Sequence, residues 1–151
     1  MNTKAKWGLA LGMLTVAACA DSPTAMVIEA PGRILVTSLH SSGGIHLTAT
    51  ATTVDGEIVV PETAFTATLI VRVLELSGQG YHGTNAPLDL RVNSANTSIA
   101  YWDGTEGGRF TGKVIGLKTG HTTLVFTIVL EESGEPIFRS APIPVRVQLA
   151  A

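Results

Sequence analysis

The chain has 151 residues, with ten Lys and Arg against twelve Asp and Glu, for a formal charge of −2. No basic cluster is interleaved with aromatics, which excludes a nucleic-acid surface as the expected partner. A single cysteine leaves no partner for an intramolecular disulfide.

At the amino terminus Lys4 and Lys6 precede Trp7 to Ala18, an uninterrupted uncharged segment. A spanning helix needs about 20 apolar residues, so this stretch is too short and fits the apolar region of a signal peptide. Every later apolar run is broken by charge, glycine or proline within about ten residues, well short of a span. Val16-Ala17-Ala18-Cys19 ends the leader. The run resembles the lipobox of bacterial lipoproteins, in which the chain is cut just before a cysteine that then carries lipid. The resemblance implies a signal peptide over 1–18, a lipid on Cys19 and attachment to a membrane through that residue. The alternative is that Cys19 is merely a small residue near an ordinary cleavage site. One acyl chain gives marginal membrane binding, each buried methylene adding about 0.8 kcal/mol, and lipobox proteins carry more than one chain. In the sorting pattern of enterobacterial lipoproteins an aspartate directly after the cysteine retains the protein at the inner membrane. Here Ala20 holds that place and Asp21 follows, which implies the outer membrane.

Ala20 to Ala25 is small and polar with Pro23, a short tether, and 19–30 is taken as the lipidated cysteine and its linker. Residues 31–151 are the size of one domain. All twelve acids but only eight of the ten Lys and Arg follow residue 18, so the mature chain carries a formal −4, scattered evenly.

Periodicity beyond the tether is almost entirely two-residue, the mark of half-buried strands. An opening strand is expected around Arg33 to Leu39. Ile45, Leu47, Ala49 and Ala51 alternate with His46, Thr48, Thr50 and Thr52, and Asp55-Gly56 marks a turn. Phe65, Ala67, Leu69, Val71 and Val73 form the next apolar stripe. Leu88, Leu90 and Val92 alternate with Asp89, Arg91 and Asn93. Leu124, Phe126, Ile128 and Leu130 share a face, and Ile143, Val145, Val147 and Leu149 close the set. Glycine, proline, asparagine and serine clusters separate these runs. About seven short strands divided by turns predict an all-β, Ig-like antiparallel sandwich.

Between Val92 and Phe126 the chain resembles the bacterial Ig-like domains of group 2. Asn96-Thr97-Ser98-Ile99-Ala100 stands where that family has Asn-Pro-x-Val-Ala, with Thr97 in place of proline. Gly112 to Gly120 and then Leu124 match its Gly-x-Val-x-Gly-x-x-x-Gly-x-x-x-Ile run. Leu47-Thr48-Ala49-Thr50-Ala51 is similar to the family's Leu-Thr-Ala-Thr strand. Val92 occupies the usual tryptophan position, and 62–88 looks longer than the usual connection, which implies a divergent member with an insertion. Gly116 and Gly120 bracket a short link and are expected to supply positive-φ turns.

Several constellations imitate chemistry. Gly107 to Lys113 fits Gly-x4-Gly-Lys, but Val114 follows where a phosphate loop needs a hydroxyl, and a helix should come next. His40, His46, His82 and His121 are widely spaced, and only the first two flank one turn, so no metal set converges. No nucleophile elbow of the Gly-x-Ser-x-Gly kind is present. Glu131, Glu132 and Glu135 are too sparse for a calcium loop. Asn96-Thr97-Ser98 has the N-glycosylation pattern, incidental in a bacterial lipoprotein. No cofactor is therefore expected.

Aromatic residues give the remaining recognition signal. Tyr101 and Trp102 are neighbours, so on a strand one ring packs inward and the other faces solvent. Tyr81 lies in a loop able to carry function. Tyr81 and Trp102 are the candidate ligand contacts, and exposed rings of this kind stack on sugars or anchor a protein. The expectation is a lipid-anchored envelope lipoprotein presenting a non-catalytic Ig-like module for structural or adhesion-type interaction with an envelope protein. Carbohydrate binding is the second reading, and an envelope hydrolase is a distant third.

Overall fold

The computed structural model describes residues 30–39, 44–61, 64–104 and 108–148. The signal segment, Cys19 and most of the tether lie outside the described residues, as does His40. The described chain forms eleven strands and no helix. They are β1 (Arg33–Ser38), β2 (His46–Ala49), β3 (Val54–Asp55), β4 (Ile58–Val60), β5 (Thr66–Leu74) and β6 (Leu88–Ser94). β7 (Ala100–Asp103), β8 (Thr111–Gly116), β9 (Gly120–Leu130), β10 (Pro136–Arg139) and β11 (Ile143–Val147) follow.

These strands make two sheets. One runs β3-β2-β1-β5-β8-β7. In the other, β9 pairs with β6 along one edge and with both β10 and β11 along the other, and β11 pairs with β4. Setting aside β2, β3, β4 and β10, the sheets reduce to β1-β5-β8-β7 and β6-β9-β11. In chain order that is the arrangement of an immunoglobulin sandwich, with strands one, two, five and four facing three, six and seven. The all-β Ig-like reading is correct. One pairing departs from the expected antiparallel pattern, because β4 and β11 run parallel.

The core follows from alternation. Ile34, Val36, Leu47, Ala49, Ala67, Leu69, Val71 and Val114 point inward from one sheet. Ile58, Val60, Leu124, Phe126, Ile128, Ile143, Val145 and Val147 meet them from the other. Fully burying one of the Val, Leu, Ile or Phe side chains contributes about 1.5–3 kcal/mol, which offsets the ordering of the chain that carries it. Glu57, just before β4, binds Arg146 of β11 through Nε and Nη2 at 3.1 and 2.6 Å. That pair fastens the parallel strands from the solvent side.

Two expectations change here. The long segment 62–88 is not all added chain, since it contains β5, which lies in the middle of its sheet between β1 and β8; what remains long is the link 75–87 between β5 and β6. Chain is also added earlier, where β2, β3 and β4 intervene between the first and second strands of the Ig arrangement. The runs 45–52 and 65–73 show the same alternation, and only tertiary pairing decides which is central. Gly116 has no positive φ. It is glycine because a Cβ there would stand 2.6 Å from Val147 Cγ1 and 3.1 Å from Val60 Cγ1. Gly120 does take a positive φ, 154°.

Candidate functional site

Most of the chemistry-like motifs resolve into turns and ladders. Asn96 Oδ1 accepts from Ser98 N–H at 3.0 Å, while Ile99 N–H and Ala100 N–H donate to Asn96 O. The asparagine thus builds the turn between β6 and β7. β8 begins at Thr111, so a strand follows the glycine-rich loop where a phosphate site needs a helix. Glu131 pairs with Arg109. Among the described residues no three His, Cys, Asp or Glu side chains gather as metal ligands. His46 and His121 are exposed strand residues.

Trp102 is turned inward. Its ring meets Phe126 edge-on, with centroids 5.6 Å apart, and packs so closely over Gly112 that any Cβ there would collide with it. Ser94 Oγ donates to Ala100 O beside it, at 2.7 Å, and ties β6 to β7. The indole belongs to the half-buried margin of the core, not to a solvent-facing stacking platform. Tyr101, on the opposite face, registers with Ile115.

Tyr81 sits elsewhere. Its N–H donates to Val73 O, which carries the β5 hairpin past the strand end. With Ala30, Glu75, Leu76 and Ser77 it lines a shallow cavity of about 250 Å³. That is slightly below the range of about 300–1,000 Å³ for small-molecule sites. The fold brings Tyr81 and Trp102 to no common surface.

A different surface emerges at the far end of β5. Phe65 is 53% exposed and Leu117 55%. Gly116 N–H, one residue before Leu117, donates to Phe65 O at 2.9 Å, so both side chains issue from hydrogen-bonded neighbours. Leu39, also exposed, lies on the same sheet where its N–H donates to Thr68 O. The alternation predicts that Phe65 continues the inward stripe of Ala67, Leu69 and Val71. Instead its φ of 55° breaks the extended run immediately before β5 starts. A bulky residue in the left-handed region costs about 1–3 kcal/mol and is tolerated where the surroundings enforce it. Here Ala64 N–H and Phe65 N–H both donate to Pro61 O, which holds the turn. No alternation pattern signals a positive φ at phenylalanine, so this exposed ring is not legible in the sequence.

Among the described residues, one edge of β6 is unpaired. Glu131 N–H donates to Pro87 O and Ala95 N–H to Thr123 O. By antiparallel alternation, the even-numbered residues of β6 therefore turn their backbone groups outward. Asp89 Oδ1 accepts from Leu90 N–H at 2.9 Å, placing a carboxylate on that edge where a passing strand would bind. Charge on an open edge opposes strand addition.

Compared with known proteins, the chain matches no protein-family model and no curated protein.

Proposed function

We propose that the chain is a lipid-anchored protein of the bacterial cell envelope that holds a non-catalytic Ig-like module at the outer membrane for interaction with another envelope protein. The observation that carries this reading is a polarity of the sandwich. The chain enters at Ala30, beside Leu76, at one end of β5, and the exposed pair Phe65 and Leu117 lies at the other. Nine residues of strand separate those ends by about 30 Å. A lipid on Cys19 would hold the first end near the bilayer and leave the second available to a partner. The group 2 Ig-like reading is part of this proposal. Its Asn96–Ala100 motif leads into β7 and its glycine run covers β8 and the link to β9, the order that family places them in.

An exposed aromatic side chain such as Phe65 is a common anchor of protein interfaces, and Leu117 adds apolar area beside it. A photo-crosslinking residue at Leu117, in living cells, tests the assignment against the same residue at Val125 on the outer face of the second sheet. Adducts with one protein at 117 and none at 125 support it. Equal labelling at both positions counts against it.

Carbohydrate recognition is the second reading, favoured by the cavity that Tyr81 lines. Glycan binding that is lost in Tyr81→Ala and kept in Leu117→Ser would select it.

A further inference from the structure

The hairpin that follows β5 ends in an exposed apolar tip. Leu76 is 78% exposed, more than Leu39, Phe65 or Leu117. Its backbone is nonetheless held by hydrogen bonds. Gly78 N–H donates to Glu75 O at 3.0 Å and Glu75 N–H to Gln79 O at 2.9 Å, closing the turn, and Leu74 bridges Gly80 below it. Arg33 Nη2 donates to Leu76 O at 2.9 Å, and Gly32 lies against the Leu76 backbone with no room for a Cβ. The backbone that presents this side chain is thus seated on contacts that the entering chain itself supplies.

The entering chain also identifies the occupant. Gly32 N–H donates to Leu74 O, and Ala30 lines the cavity at the foot of the hairpin with Leu76 and Tyr81. Only residues 20–29 separate this point from Cys19, a reach of at most about 40 Å at full extension and a mean span of about 18 Å for a flexible linker, shorter than β5. On the lipoprotein reading, which this inference rests on, the end bearing Leu76 is the end nearest the bilayer.

We infer that Leu76 is a second membrane contact, inserting into the lipid interface beside the tether and setting the domain upright with Phe65 and Leu117 directed away. Two charged side chains adjoin the contact: Glu75 accepts from Ser77 Oγ at 3.4 Å, and the Arg33 guanidinium is turned back onto Leu76 O. The inserting group itself is apolar, unlike a basic patch that binds headgroups.

The test uses the full-length lipidated protein in vesicles of phosphatidylethanolamine and phosphatidylglycerol containing a doxyl-labelled lipid. A fluorophore is placed on Ser77→Cys or, at the opposite end, on Lys118→Cys. The inference expects quenching at 77 and none at 118. Burying a leucine contributes about 1.5 kcal/mol or more, so Leu76→Ser should lower the docked-to-free ratio about tenfold. Leu76 is a surface residue, and the thermal midpoint of Leu76→Ser should match the parent, which shows that folding is intact. Equal quenching at 77 and 118, or no effect of Leu76→Ser, overturns the inference while leaving lipidation standing. A protein that stays soluble with an unmodified Cys19 overturns both.

Discussion

The indole of Trp102 on β7 meets the ring of Phe126 on β9 at 73° between planes, and so joins the two sheets across the open margin of the sandwich. Phe126 is fully buried, and its backbone N–H donates to Ser140 Oγ while its carbonyl accepts from Ser140 N–H. The cross-strand neighbour of Phe126 on β6 is Val92. Immunoglobulin domains commonly fill this part of the core with a tryptophan on the third strand. Here Val92 stands on that strand, and a tryptophan reaches this part of the core from the facing sheet. Trp102→Ala should therefore behave as a core deletion, with a loss of about 3 kcal/mol in chemical denaturation. An unchanged midpoint would return Trp102 to the surface.

Gly116 tests the packing between β8 and the parallel β4–β11 pair. A methyl group there would press on Val147 and Val60. Gly116→Ala is expected to lose about 1–3 kcal/mol, the usual effect of overpacking. The comparison site is Gly44, where a Cβ meets nothing within 4 Å and Gly44→Ala should be close to neutral.

Phe65 separates strain from recognition. Both Phe65→Ala and Phe65→Gly remove the ring, but only glycine relieves the positive φ. The glycine variant should be more stable than the alanine variant by about 1 kcal/mol. Both should lose partner binding equally. If alanine proves the more stable, the backbone is not strained at this position.

Glu57 and Arg146 give a pH signature. The hydrogen bond from Arg146, aided by its charge, holds the Glu57 carboxyl below its ordinary range, and Arg146 is raised in return. A carboxylate depressed in the folded state stabilises above its unfolded pKa of about 4.3, and that contribution is lost as pH falls through the folded value. The thermal midpoints of wild type and Glu57→Gln should differ slightly at neutral pH and converge in acid. High salt should also narrow the difference, because the pair is exposed. A gap that persists in acid would mean that the substitution perturbs the β4–β11 pairing in some way other than through charge.

Long alternating runs were legible. Ala67, Leu69 and Val71 sit two residues apart over the nine-residue β5, and Ile143, Val145 and Val147 do the same on β11. Period-two burial identifies such strands because a slip by one residue would turn every apolar side chain outward. Short strands were not. β3, β4, β7 and β10 have two to four residues and, unlike the equally short β2, lie in no longer alternating run that would show a period. Centrality was also hidden, since nothing in Leu47-Thr48-Ala49 distinguishes a flanking strand from the central β5. For the candidate surface, Tyr81 was legible as a loop aromatic. Leu76 and Leu117 were not, because isolated leucines in links between strands carry no pattern and their exposure depends on how the turns are held. Trp102 was legible as one of a pair with one inward ring, but which ring depends on the register with β8.

The anchor on Cys19 is the claim on which the remaining functional account depends. Its most direct measurement is the intact mass of the mature protein from membranes of cells expressing the wild type and Cys19→Ser. The account predicts a wild-type amino terminus at Cys19 carrying acyl groups, and loss of both the modification and membrane partitioning in Cys19→Ser. A wild-type protein recovered in the soluble fraction with an unmodified Cys19 would contradict it.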